Sequence, residues 1–225
     1  EQQPGTQLRA VGLRPDSSVL SQRVRVAAIE AARFPLSRSL RFRETNLETV
    51  SLENPPRGLD GVLMDERARV VALWSTFAFD AGNDVGQDSR GVPIEIIQEA
   101  LDLVRRDAPL HSLEAELTQL PLSAARNFGL PPAWVERLIT HDPDRRQVLA
   151  VARLVAGTPA AERLRTGDLL LQVNGQPVNR FREVERAVQK PEVDVTVWRN
   201  NEALTLTVPT VGLSGQGVRR LLRWA

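Results

Sequence analysis

The sequence predicts a mainly β protein whose second part is of the α+β type, and two observations support this prediction. In about the first 108 residues, short apolar segments alternate with polar residues and are broken by Pro, Gly, Asn and Asp. Beyond them, strand and helix patterns alternate, and Asn174-Gly175 is typical of a tight hairpin. With 42% hydrophobic and 25% charged residues, the 225-residue chain has the composition of a globular protein with a core.

The first part is predicted to form strands joined by turns. Val24 and Val26 alternate with arginines, which is typical of a strand with one buried face. The polar segment 80–90 predicts a loop, and apolar residues at helical spacing predict a helix over 94–106. The predicted strands are 8–13, 19–29, 41–43, 47–52, 61–65 and 70–79.

The second part is predicted to combine a small sheet with short helices. Phe181, Val184 and Val188 recur at helical spacing and form one apolar stripe. The predicted strands are 113–117, 147–155, 168–173, 193–198 and 203–208, and the predicted helices are 121–128, 131–139, 159–164 and 180–189.

Composition excludes several classes of function. The 29 basic and 28 acidic residues leave a net charge of +1, which argues against a nucleic-acid binder. The absence of cysteine excludes disulfides, thiolate metal sites and a cysteine nucleophile. No apolar run approaches the length of a membrane span.

A metal site near the second histidine is an alternative that the residues do not favour. The chain has two histidines, His111 and His141, and His141 stands near Glu136, Asp142 and Asp144. Because Asp142-Pro143-Asp144 reads as a turn and no second histidine is near, we predict no metal and no other cofactor.

Residues 156–178 contain the most specific motif of the chain. Gly157-Thr158-Pro159-Ala160 is followed by a short helix, by Leu164-Arg165-Thr166-Gly167-Asp168, by an apolar strand and by Asn174-Gly175-Gln176-Pro177-Val178. This order resembles the PDZ domain of HtrA-type proteases. The resemblance implies a trypsin-like β-barrel with a linker helix over 1–108, an HtrA-type PDZ domain over 109–210 and a tail over 211–225.

Upstream residues extend this resemblance to the protease part of the family. The segment from Gly61-Val62-Leu63-Met64-Asp65 to Ser75 resembles the stretch that leads from the nucleophile of a trypsin-like protease into the next hairpin. Segments 43–48, 132–135 and 142–149 are most similar to the degenerate second protease domain and PDZ domain of the long tandem Deg proteases.

The catalytic motif of the resembled family is absent. Its Gly-x-Ser-Gly turn corresponds to Arg57-Gly58-Leu59-Asp60-Gly61, so that Leu59 stands in the nucleophile position. About 105 residues precede the PDZ-like part, enough for one barrel, whereas the triad of such proteases draws on two. Ser214, in a Gly-rich segment, mimics a nucleophile motif only superficially. We therefore predict that this chain alone is inactive, although the family is one of serine endopeptidases.

The resemblance also implies a peptide-binding groove. His111 replaces the usual glycine of a loop that binds a peptide's terminal carboxylate, so either His111 adds selectivity or the loop binds carboxylates poorly. The helical stripe either lines the groove or packs in the core, and Arg105 and Arg106 either attract a carboxylate or simply end a helix. The implied peptide-binding residues are Leu110, His111, Ser112, Leu113, Glu114, Ala115, Phe181, Val184 and Val188.

The function that this reasoning favours is non-catalytic recognition. The chain is expected to bind C-terminal or unfolded peptides for a larger HtrA-like protease in protein quality control, by docking substrates or by regulating an active domain elsewhere. Two alternatives stay open: an oligomerisation fragment with a vestigial groove, and a part of an active serine endopeptidase. The resemblance favours the bacterial cell envelope as the location.

Overall fold

The computed structural model divides the chain into two compact units, Glu1–Arg106 and Asp107–Ala225. It describes residues 2–14, 16–32, 46–80 and 85–213. The predicted strand 41–43 and Ser214 lie outside these described residues.

The described residues of the first unit form a six-stranded antiparallel barrel followed by a helix. Its elements are β1 (Gln7–Leu13), β2 (Val19–Ala31), β3 (Glu48–Leu52), β4 (Asp60–Met64), β5 (Val70–Asp80), β6 (Val85–Pro93) and α1 (Ile94–Arg105). The strands follow the order β1-β2-β3-β6-β5-β4, and β4 pairs with β1 to close the barrel. This architecture confirms the predicted barrel.

Strand alternation builds the interior of the barrel. Ala10, Leu63 and Ala72 lie opposite one another on three neighbouring strands and are fully buried. Gly12 faces Gly61 across β1 and β4, and a Cβ on Gly61 would lie 2.1 Å from the carbonyl oxygen of Val11, so this approach requires glycine. The buried cluster consists of Leu8, Ala10, Val24, Val26, Val50, Leu52, Leu59, Leu63, Ala72 and Trp74.

The predicted loop over 80–90 is wrong for its second half. β6 begins at Val85 and pairs with β5 along its length, with Arg90 opposite Ser75 and Asp88 opposite Phe77. The outer face of a barrel strand is solvated, and polar residues there mimic the composition of a loop. The side chain of Arg90 forms ion pairs with Asp88 and Glu30.

Between residues 107 and 213, the second unit contains a six-stranded sheet, a two-stranded ribbon and four helices. Its strands are β7 (Leu110–Ser112), β8 (Ala115–Pro121), β9 (Gln147–Leu154), β10 (Leu169–Val173), β11 (Gln176–Pro177), β12 (Glu192–Arg199), β13 (Glu202–Pro209) and β14 (Val211–Leu213). The helices are α2 (Leu122–Asn127), α3 (Pro132–His141), α4 (Pro159–Arg163) and α5 (Phe181–Ala187).

The sheet of the second unit has the order β13-β12-β10-β9-β8, and β11 pairs with β10. Asn174 and Gly175 both have positive φ, at 51° and 77°, and form the predicted tight hairpin between β10 and β11. The separate ribbon pairs β7 with β14, so the segment predicted as a tail begins with a strand.

Candidate functional site

The residues implied in peptide binding lie on two parts of the second unit. Leu110 to Ser112 form β7, Leu113 and Glu114 link it to β8, and Ala115 is the first residue of β8. In the helical stripe, Phe181 and Val184 lie in α5, and Val188 caps its C-terminal end. The contacts at the two ends of α5 determine how these parts are arranged.

The N-terminal end of α5 is capped by its own first turn. The Glu183 carboxylate accepts backbone N–H bonds from Asn179 (2.8 Å) and Arg180 (3.1 Å) at Oε2. Its other oxygen accepts a bond from Nε2 of His141 at 2.9 Å. Gln147, opposite the last residue of β8, donates to the carbonyl oxygen of Asn179 at 2.7 Å. This end of α5 is thus tied to α3 and to the end of β8.

A buried carboxylate strengthens the same connection. Arg180 donates through Nε (2.7 Å) and Nη2 (2.6 Å) to Oδ2 of Asp142, which follows α3. Burial would raise the pKa of Asp142. The bonds and charge of Arg180, with backbone N–H groups of Arg145 and Asp144, outweigh burial and hold that pKa below its ordinary value.

The C-terminal end of α5 is tied to His111. The side-chain amide of Gln189 accepts the backbone N–H of His111 at Oε1 (3.0 Å) and donates from Nε2 to the His111 carbonyl oxygen (2.8 Å). The same Nε2 also donates to the carbonyl oxygen of Glu185 (2.8 Å). Because its two ends are tied near Pro121 and at His111, α5 extends beside the segment from β7 to β8.

The ring of His111 is also fixed. Thr210 donates its hydroxyl hydrogen to the carbonyl oxygen of Lys190 (2.5 Å), so its oxygen accepts a bond from Nδ1 of His111 (2.8 Å). This arrangement requires a hydrogen on Nδ1. His111 is therefore held by its backbone N–H, its carbonyl and its ring.

The turn between β7 and β8 has a left-handed residue at its centre. Glu114 has a φ of 54°, and its N–H donates to the Ser112 hydroxyl at 2.9 Å. Its carbonyl accepts from the N–H of Val155 at 3.0 Å. Leu113 and Ala115 are buried, whereas Leu110 is exposed and lies opposite Leu213 on β14.

The apolar stripe of α5 points into the unit. Phe181, Val184 and Val188 are buried, with exposed fractions of 3%, 1% and 1%. Sequence reasoning left their groove and core roles open, and this burial favours packing. Sequence reasoning also missed Gln189. In the sequence, a polar residue just after an apolar helix gives no indication that its side chain binds a strand.

The nucleophile position of the resembled family lies in the barrel interior. Leu59 is 1% exposed and belongs to the buried cluster of the first unit. The next residue, Asp60, accepts bonds at Oδ1 from the hydroxyl of Ser75 (3.1 Å) and the N–H of Thr76 (3.0 Å). Both histidines of the chain belong to the second unit.

The remaining candidate residues are engaged in local contacts. Arg105 binds the carboxylate of Asp102, and Arg106 binds the backbone carbonyl oxygen of Asp102. Among the described residues, no three carboxylates or imidazoles converge as metal ligands. None of the helices in the described ranges has the length and apolar character needed to cross a bilayer.

Comparison with known sequences agrees with this architecture. The sequence profile of the PDZ domain family matches residues 137–210. The chain is 33% identical over 215 residues to Protease Do-like 7 of Arabidopsis thaliana, covering 83% of this chain and 20% of that protein. It is 26% identical over 225 residues to the pro-apoptotic serine protease NMA111 of Debaryomyces hansenii, covering 95% and 23%.

The chain therefore spans about a fifth to a quarter of the length of these curated relatives. These relatives come from a plant and a yeast, so the relationship is not confined to bacteria. It does not support the bacterial cell envelope as the location of this protein.

Solved structures show the same fold. The HtrA-type protease AlgW with a tripeptide aligns with a TM-score of 0.55 and 16% identity, covering 92% of this chain and 65% of that one. The same protease with a decapeptide aligns with a TM-score of 0.51 and 17% identity, covering 92% and 60%. At these identities the likeness concerns the fold, and it confirms the predicted barrel followed by a PDZ domain.

Proposed function

Because this chain is related to the HtrA/Deg-type proteases, we propose that it recognises extended peptide segments for a larger protein without cleaving them. The groove lies between β8 and α5. A bound segment adds to the sheet beside β8 through its backbone, and its last residue approaches the turn at His111. Within the full-length protein this recognition docks substrates or regulates an active protease domain.

The observation that carries the proposal is the placement of α5 by the residues at its start. Gln147, opposite the last residue of β8, donates to the carbonyl oxygen of Asn179, and Arg180 binds Asp142 after α3. Because these bonds hold α5 beside β8 before a peptide arrives, the groove is preorganised and the entropy cost of binding is lower. The AlgW structures with a tripeptide and a decapeptide lend support by analogy.

The barrel supports the proposed absence of catalysis. The segment 53–61, which contains the nucleophile position, has no Ser, Thr or Cys. Leu59 in that position packs in the core and stabilises the barrel by roughly 1.5–3 kcal/mol. We therefore propose that the first unit does not cleave peptides.

The proposal is tested by the binding of a fluorescent peptide pool to the whole chain. Each peptide is compared with an amidated form and with a form N-methylated at alternate residues, which cannot pair with a strand. We expect both changes to weaken binding, and amide hydrogen exchange to slow along β8 but not along β13 at the opposite end of the sheet. Binding that is indifferent to both changes would refute a peptide groove.

A second function is favoured by the outer surface of the barrel. An apolar row lies on the outer face of the barrel, one position along the strands from the buried residues Ala10, Leu63 and Ala72. Its members lie opposite one another on four neighbouring strands and are Val11, Val62, Leu73 and Val92. Leu73 is 40% exposed. Val11, Val62 and Val92 are half-buried. Because contiguous apolar residues on an outer face favour association, we propose that the first unit also assembles copies of the protein.

A further inference from the structure

The side chain of Gln189 makes the bonds to His111 that a neighbouring strand would make. Its Oε1 accepts the backbone N–H and its Nε2 donates to the backbone carbonyl, at 3.0 and 2.8 Å. A residue of a paired antiparallel strand exchanges the same two bonds with its partner. The primary amide of Gln189 therefore replaces one residue of a strand.

The pairing of β7 determines which edge Gln189 occupies. On one edge β7 pairs with β14, with His111 opposite Gly212. The N–H and C=O of His111 bind Gln189 instead, so His111 occupies the non-hydrogen-bonded position of that ribbon and directs its polar groups to the other edge. That other edge is on the side of α5.

We propose that Gln189 is a latch that closes the carboxylate end of the peptide groove. This inference rests on the proposed function and assigns a regulation to the same site. A peptide whose last residue pairs with His111 needs the N–H and carbonyl that Gln189 holds. Peptide entry therefore requires the Gln189 side chain to rotate away, and only the released form binds.

The position of Gln189 suits a side chain that moves. It follows Val188, which caps α5, and it is half-buried, whereas Val188 and Val184 are buried. Glutamine has three rotatable side-chain torsions, so its amide can leave His111 without moving α5. The His111 ring bond to Thr210 and the β7–β14 pairing hold the strand in place when the latch opens.

The latch is tested by replacing the amide with a group of similar length. Gln189→Met keeps the chain length and removes both bonds to His111, and Gln189→Ala removes the side chain. The matched control is Gln147→Met, because Gln147 tethers the opposite end of α5 by its amide. Dissociation constants are measured for the free-carboxylate peptides of the fluorescent pool described above.

We expect Gln189→Met and Gln189→Ala to bind these peptides about tenfold more tightly, because two neutral hydrogen bonds no longer compete. Gln147→Met is expected to bind no more tightly than the unaltered protein. Amide hydrogen exchange at His111 should be faster in both Gln189 variants. Exchange along β10 should be unchanged, and this would show that the second unit is folded in the variants.

The outcomes separate the latch from the groove. Unchanged or weaker binding by both folded Gln189 variants would overturn the latch and leave peptide recognition intact. Tighter binding by Gln147→Met as well would also overturn it, because loosening of α5 would then be the cause. Absence of binding by the unaltered protein and by every variant would overturn the proposed function and the latch with it.

Discussion

Asp168 and Arg199 form a two-point ion pair that joins the Gly-Asp motif to the end of β12. Arg199 donates from Nε to Oδ1 at 2.7 Å and from Nη2 to Oδ2 at 2.6 Å. Asp168 is 2% exposed, and its Oδ2 also accepts the N–H of Arg165. The hydrogen bond to Asp168 raises the pKa of Arg199 above its ordinary value. The aspartate of this motif is therefore structural.

Asp168→Asn is predicted to destabilise the second unit by about 3 kcal/mol, because it leaves a largely buried guanidinium without its counter-charge. Urea denaturation followed by amide signals of β10 and β12 measures the loss. The control is Asp194→Asn on β12, an exposed aspartate that accepts a bond from Thr207 and whose change is expected to cost less than about 0.5 kcal/mol. Equal losses for the two variants would contradict a special role for Asp168.

The contact between Asp142 and Arg180 predicts a pH dependence. Because folding lowers the pKa of Asp142, its contribution to stability is present above its unfolded pKa of about 3.9 and is lost as pH falls through the lower folded pKa. We expect Asp142→Asn to reduce the free energy of unfolding at pH 7. The difference from the unaltered protein should shrink below pH about 4. Urea midpoints across acidic and neutral pH measure it.

Arg180→Met provides the control for that experiment. In this background Asp142 has lost the partner that donates at 2.6 and 2.7 Å, and the pH-dependent effect of Asp142→Asn should be much smaller. An effect of the same size in both backgrounds would show that Arg180 is not its cause.

Local patterns predict much of this fold. The alternation of Val24 and Val26 with arginines predicted β2, and Asn174-Gly175 predicted the hairpin after β10, because both signals reside in neighbouring residues. β6 was missed, since polar residues on the solvated face of a barrel strand look like a loop. β14 was missed because its three residues become a strand only through β7.

The candidate site was less predictable for the same physical reason. The motif around Asp168 located the domain, but the bonds between His111 and Gln189 join residues 78 positions apart. No periodicity or propensity reports such a pair. The burial of Phe181 and Val184 likewise depends on which side of α5 packs against the sheet, which helical spacing leaves open.

Leu59→Ser is predicted to restore no proteolysis and to destabilise the barrel by about 3 kcal/mol, because it removes buried apolar volume and leaves a hydroxyl in the core. Turnover of labelled casein measures activity. Urea denaturation, monitored through the amide signals of β4 and β5, measures stability. The control is Leu73→Ser on the outer surface, expected to cost far less. Casein cleavage by Leu59→Ser would contradict the proposal that the barrel is non-catalytic.

The outer row of the barrel predicts concentration-dependent self-association. Its residues Val11, Val62, Leu73 and Val92 lie side by side, so Leu73→Glu places a charge in the middle of the row. Losing one buried leucine weakens association by roughly 1.5–3 kcal/mol, or about ten- to a hundredfold. Sedimentation equilibrium over a range of concentrations measures the change. Val19→Glu introduces the same charge at the end of the β1–β2 hairpin, where Val19 is 71% exposed, and should associate like the unaltered protein. A monomer at all concentrations, or equal weakening by both variants, would exclude this row as the contact surface.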